Sequence, residues 1–148
     1  MLIQDLSEQD SLDLLSRVRF GRLACTRGAQ PYIVPMNFVV QGRNIYAFST
    51  IGKKIEDMRV NPLVCLEAEE IVNAQKWKTV IVFCRYHEVA KAASGDADRA
   101  MIHQLLHKRA AWWEPGYART VLGGQVRSLE PIYFRLSIES IHGHVATG

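Results

Sequence analysis

Cysteine is scarce in this sequence and does not cluster. Only Cys25, Cys65 and Cys84 occur, an odd number with no CxxC pair, so neither a zinc site nor a disulfide framework is expected and a reducing compartment is the natural setting. Charge of one sign is scarce too. Lys plus Arg number 18 against 15 Asp plus Glu, a formal +3. That excess is too small to argue for nucleic acid, although it leaves room for a local basic pocket. Long apolar runs are missing: stretches such as Val80 to Cys84 are far too short to span a bilayer. Met1 to Asp10 has neither the basic flank nor the apolar run of a secretion signal. No Gly-rich loop joins a strand to a helix, which removes the dinucleotide and P-loop readings. These absences predict a soluble cytoplasmic protein without nucleic-acid or membrane partners. With 48% hydrophobic and 22% charged residues among 148, the composition is that of an ordinary globular chain, and residues 1–148 are read as one domain.

What is present is mostly β signal. Ser7, with Asp10 three residues later, caps a helix carrying Leu12, Leu15 and Val18 at helical spacing. From Pro31 to Val40 the residues Tyr32, Val34, Met36, Phe38 and Val40 share one face, while the other face, Ile33, Pro35, Asn37 and Val39, is also largely apolar. A strand of that kind needs cover on both sides, as in a barrel or an interface. Gln41 to Asn44 reads as a turn, and Ile45 to Ser49 as the returning hairpin strand. Gly52 to Val60 suits a short helix that Asn61-Pro62 ends. Leu63 to Ala68 is a further strand, Glu69 to Lys76 a polar connection and Trp77 to Ala90 a long β run. Ala97 to Ala111 has helical spacing, and Ile132 to Ile141 alternates. Six or so strands and three helices predict a mainly β architecture, a small antiparallel barrel with peripheral helices.

One heptad suggests chemistry. In Phe48-Ser49-Thr50-Ile51-Gly52-Lys53-Lys54 a strand ends in two hydroxyls and a helix opens on two lysines. A helix start offers free backbone N–H groups and partial positive charge, and two ammonium groups there oppose the dipole unless an anion absorbs both. A phosphate monoester fits that convergence. The alternative is a surface helix with solvated lysines and an ordinary Ser or Thr cap.

Pro31 to Phe38, Ile45 to Thr50, Gly52-Lys53-Lys54 and Asn61 to Cys65 resemble the pyridoxamine 5′-phosphate oxidase-like superfamily, nearest its nitroimidazole-resistance branch. Trp77 to Phe83 with Arg85, and Tyr133 to Gly143, are similar to later strands of that family. The resemblance runs in order over roughly Phe20 to Val145. It implies a six-stranded, Greek-key-like split β-barrel that binds FMN and works as a homodimer, with a flavin in each cleft between subunits. On that resemblance Ser49, Thr50, Lys53 and Lys54 hold the FMN phosphate, Met36 and Asn37 seat the isoalloxazine, and Thr79 with Trp77 reaches the ring or ribityl chain. The implied activity is electron transfer from reduced flavin to a small organic acceptor, nitroaromatic- or quinone-like. The alternative is a protein that sequesters flavin or haem without turnover. Two departures stand out: Cys84 where relatives commonly have glycine, and His142-Gly143-His144 in place of Thr-Gly-Arg.

Other residues have a functional and a plainer reading. Trp112 and Trp113 form a lid over the flavin or pack a helix end, and Trp113 is taken as the cofactor contact. His103 and His107, at i and i+4, have the spacing of a two-histidine metal face but no third ligand, so no metal is expected. His142 and His144 are haem-ligand candidates or exposed strand histidines. Arg17, Arg19 and Arg22 form a basic cluster, read as a solvated face.

Overall fold

The computed structural model describes residues 1–109, 119–122, 125–128 and 131–148. Trp112 and Trp113 lie outside the described residues. The strands are β1 Leu2–Leu6, β2 Phe20–Arg27, β3 Gln30–Asn37, β4 Val39–Gln41, β5 Asn44–Thr50, β6 Leu63–Asn73, β7 Lys76–Glu88, β8 Arg119–Leu122, β9 Gln125–Ser128 and β10 Pro131–Thr147. The helices are α1 Glu8–Arg17, α2 Lys53–Val60 and α3 Asp96–Arg109. Eight strands form one antiparallel sheet in the order β3-β2-β6-β7-β10-β5-β4, with β1 also on β10, while β8 and β9 pair separately.

The architecture is the expected split barrel with peripheral helices, but the main sheet has eight strands rather than six and does not close. The stretch read as one strand over Pro31 to Val40 breaks at Phe38: β3 ends one edge of the sheet and β4 the other. A single residue therefore carries the chain from edge to edge, which is where the barrel is split. Its ring, 1% exposed, packs in the interior. The expected polar connection over Glu69 to Lys76 is instead mostly strand, because β6 runs on to Asn73 against β7, with Ile71 opposite Trp77. The expected strands also omit β1. Its five residues alternate weakly and are mostly exposed, and only pairing with the end of β10, Leu2 with Thr147 through Leu6 with Gly143, makes them a strand.

Two apolar clusters hold the molecule. The larger fills the curl of the sheet with Leu23, Phe38, Ile45, Leu66, Val82 and Phe134, closed by Leu14 and Leu15 of α1 and by Ile55 and Met58 of α2. The smaller lies on the other side of β4, β5 and β10, where Ile102 and Leu106 of α3 meet Val39, Phe48 and Tyr133. Alternation along β5 decides the split: Ile45 and Ala47 face the first cluster, Tyr46 and Phe48 the second. The Ser7 cap is as the sequence predicts, its hydroxyl accepting from the Asp10 N–H at 3.0 Å.

Candidate functional site

At the start of α2 the two adjacent lysines have different surroundings. Gly52 takes the N-cap position in extended backbone with no side-chain cap, so the ordinary Ser or Thr cap does not form. Lys53 Nζ donates to Asp57 Oδ2 at 2.9 Å, one helical turn on, and lies 5.1 Å from the Tyr32 ring centroid. Asp57 is only 2% exposed, so Lys53 neutralises a carboxylate that would otherwise be buried alone. Lys54 is half-buried, burial lowers its pKa, and the Cys25 thiol is the titratable group beside it. Among the described residues no carboxylate pairs with it. A desolvated ammonium without a counter-charge is the group at this end of the molecule that an anion would satisfy.

Two buried polar side chains share that lack of partners. Asn37 is 6% exposed and Ser49 5%, and neither side chain has a hydrogen-bond partner among the described residues. Leaving such a group unsatisfied costs about 1–3 kcal/mol, so each is suited to meet a ligand. Ser49 pairs in register with Ile132 and faces the main cluster. Thr50 pairs with Pro131, on the face that carries Phe48 and Tyr133. Neighbours in a strand project to opposite faces, so the two hydroxyls do not converge.

Across β2, β6 and β7 runs an apolar groove of about 440 Å³, lined by Ala24, Cys25, Leu63, Cys65, Phe83 and Cys84 among others. Its volume and apolar walls suit a planar aromatic ring. Cys25 is common to the groove lining and the surroundings of the helix start: its side chain is buried in the main cluster, and its thiol feels the Lys53 and Lys54 charges. All three thiols are held protonated by burial, with Cys84 pushed up to about 12. The sequence reading overlooked these groove residues. A signal was present in Val80 to Phe83, apolar on both faces of one strand, which calls for cover on both sides.

The remaining expected contacts lie elsewhere. Met36 is buried in the main cluster. Trp77 and Thr79 share the outer face of β7 with Ile81 and Phe83, and Thr79 stands opposite Glu69 and His144. It is five residues along β7 from the groove's Cys84, about 16 Å at roughly 3.3 Å per residue. Within one chain neither Trp77 nor Thr79 lines the groove. A second cavity, about 480 Å³ between α3 and the start of β10, is lined by Lys91, Arg99, His103 and Tyr133 among others. Two of its polar groups are engaged within the protein: Arg99 bonds the Ala90 and Ala92 carbonyls and Asp96, and His103 Nδ1 lies 3.3 Å from the Tyr133 hydroxyl. We place the candidate site at the groove.

His103 and His107 stack with centroids 6.0 Å apart, and no third metal ligand joins them among the described residues. His142 and His144 are exposed on β10, the latter 3.3 Å from Asp5. The basic cluster is not simply solvated: Arg17 pairs with Glu70 and Arg22 with Glu69. Among the described residues no helix is long and apolar enough to cross a membrane.

Residues 7–144 match the family model described as pyridoxamine 5′-phosphate oxidase. An uncharacterized protein of Rhizobium meliloti (strain 1021) is 33% identical over 146 residues, covering 99% of this chain and 97% of the relative. A crystal structure described as a FAD-binding protein from Mesorhizobium loti superposes with a TM-score of 0.82 at 35% identity, over 99% of this chain and 100% of that one. A FAD-binding protein from Mycobacterium smegmatis has the same fold, with a TM-score of 0.67 at 22% identity over 100% of both chains.

Proposed function

The chain belongs to the pyridoxamine 5′-phosphate oxidase family, and from that premise we propose that it is a flavin-binding oxidoreductase, acting as a homodimer on a small nitroaromatic- or quinone-like acceptor. The observation that carries this reading is the half-buried Lys54 ammonium, without a carboxylate among the described residues, next to Cys25, a residue that also lines an apolar groove. Anion at one end and flat apolar body at the other is the chemical outline of FMN. Lys54 holds the phosphate, with the free N–H groups at the start of α2. Groove residues Cys65, Phe83 and Leu63 exclude water from the ring. Bound flavin supplies the electron transfer, so the protein needs no acid–base triad of its own. FAD is the second reading, favoured by the description of the Mesorhizobium loti relative.

The dimer is supported by what one chain leaves uncovered. Ile33, Leu63, Ile81 and Phe83 are 64%, 53%, 41% and 50% exposed on the outer face of β3, β6 and β7. A second copy over this face covers those side chains and brings a Trp77 and a Thr79 from outside the chain that holds Lys54.

Heat release of the chromophore from purified protein, followed by its mass, tests the reading and separates FMN from FAD. A haem or no chromophore would overturn it. Reduction of the bound flavin by a nicotinamide cofactor under anaerobic conditions, and reoxidation by a quinone, separates an enzyme from a carrier. Lys54→Ala is expected to weaken flavin binding by about 1.5–3 kcal/mol, the worth of one charged hydrogen bond, read by quenching of flavin fluorescence on titration.

A further inference from the structure

On the outer face of the sheet one guanidinium serves two carboxylates. Arg22 Nη1 lies 2.6 and 2.7 Å from the two oxygens of Glu69 but 3.7 Å from Glu67 Oε2. The register places Glu67 between Arg22 on β2 and Ile81 on β7, one pleat beyond the groove pair Cys65 and Phe83. Glu67 thus has a like charge beside it and only a distant share of the cation. Burial, then its hydrogen bond to Glu69 and that group's charge, raises its carboxyl to about 7. Among the described residues the other groups facing it supply no second cation at contact. On β7 these are Ile81 and Thr79, on β3 Pro35 beyond Arg22, on β10 His142 beyond Ile81, and on its own strand the protonated Cys65 thiol.

We propose that association of two copies through this face is coupled to proton uptake at Glu67, so that the dimer weakens as the Arg22–Glu67–Glu69 cluster loses that proton. The inference rests on the dimer reading above. Glu67 and Glu69 side chains are 36% and 21% exposed in one chain, so water still solvates the second negative charge. A covering copy removes that water. The charged form of Glu67 is then left with only a 3.7 Å share of the Arg22 guanidinium that Glu69 holds more closely, whereas the neutral form keeps its hydrogen bond to Glu69. Two copies carry two such protons.

Sedimentation equilibrium of the purified full chain at constant ionic strength, between pH 6 and 8.5, tests the coupling with wild type, Glu67→Gln and His142→Gln. The wild-type dimer dissociation constant is expected to rise at least about tenfold over that range, the change that loss of one linked proton per unit of pH gives. Glu67→Gln is expected to stay dimeric and flat, and His142→Gln to keep the wild-type slope. A pH-independent wild-type dimer, a slope that survives in Glu67→Gln, or one abolished by His142→Gln would overturn the coupling while leaving the dimer intact. A monomer at every pH would overturn the dimer reading and the coupling with it.

Discussion

Lys53 and Lys54 are adjacent, alike in the sequence, and unlike in what they do. Helical spacing puts Asp57 one turn from Lys53, so that ammonium is already neutralised, while Lys54 turns toward Cys25 and keeps its charge for something else. Lys53→Ala is therefore expected to act on stability, leaving the Asp57 carboxylate buried and unpaired. A loss of about 1–3 kcal/mol by urea denaturation, with flavin affinity changed much less than in Lys54→Ala, would distinguish the two roles. The thiols give a second prediction at this scale. The thiolate is the reactive form, and burial raises all three cysteines, Cys84 to about 12. Native protein at pH 7.5 should react with Ellman's reagent far more slowly than denatured protein, which should release three equivalents for the three cysteines.

Elements meet where side chains are absent. A Cβ on Gly143 would run into Ser11 Oγ and lie 3.1 Å from Leu6 Cβ, so this glycine lets α1 and β1 close onto β10. The hydroxyl of Ser11, fully buried, donates to the Ser7 carbonyl at 2.8 Å and is not free to swing away. Gly143→Ala is expected to cost about 1–3 kcal/mol, the usual cost of overpacking, seen as a lower Tm with an unchanged far-ultraviolet circular dichroism spectrum. This contact gives a packing reason for glycine between His142 and His144. The break at Phe38 is a similar case. Hydrophobic alternation reads straight through Pro31 to Val40, yet pairing partners change from β2 to β5 within one residue.

For the whole molecule, Glu67 makes stability depend on pH. Its carboxyl is raised from 4.5 to about 7, so in that window the folded chain holds a proton that the unfolded chain has released. Stability then falls as pH rises from 4.5 through 7. Glu67→Gln lacks this dependence and should gain stability relative to wild type at pH 8 over its value at pH 5, measured by urea midpoints at the two values. Equal differences at both would remove Glu67 as the source.

Local pattern alone determined the helices, the long β7 and β10 runs, the Ser7 cap and the lysine-bearing start of α2, because each depends on spacing within a few residues. It also singled out the adjacent lysines there, of which Lys54 is the half-buried one. Tertiary structure decided which of two lysines is spoken for, that Ser49 and Thr50 diverge, and that the three distant cysteines Cys25, Cys65 and Cys84 border one groove. These are matters of register between strands far apart in the chain, and register is set by which faces can be buried together, a property no single segment carries.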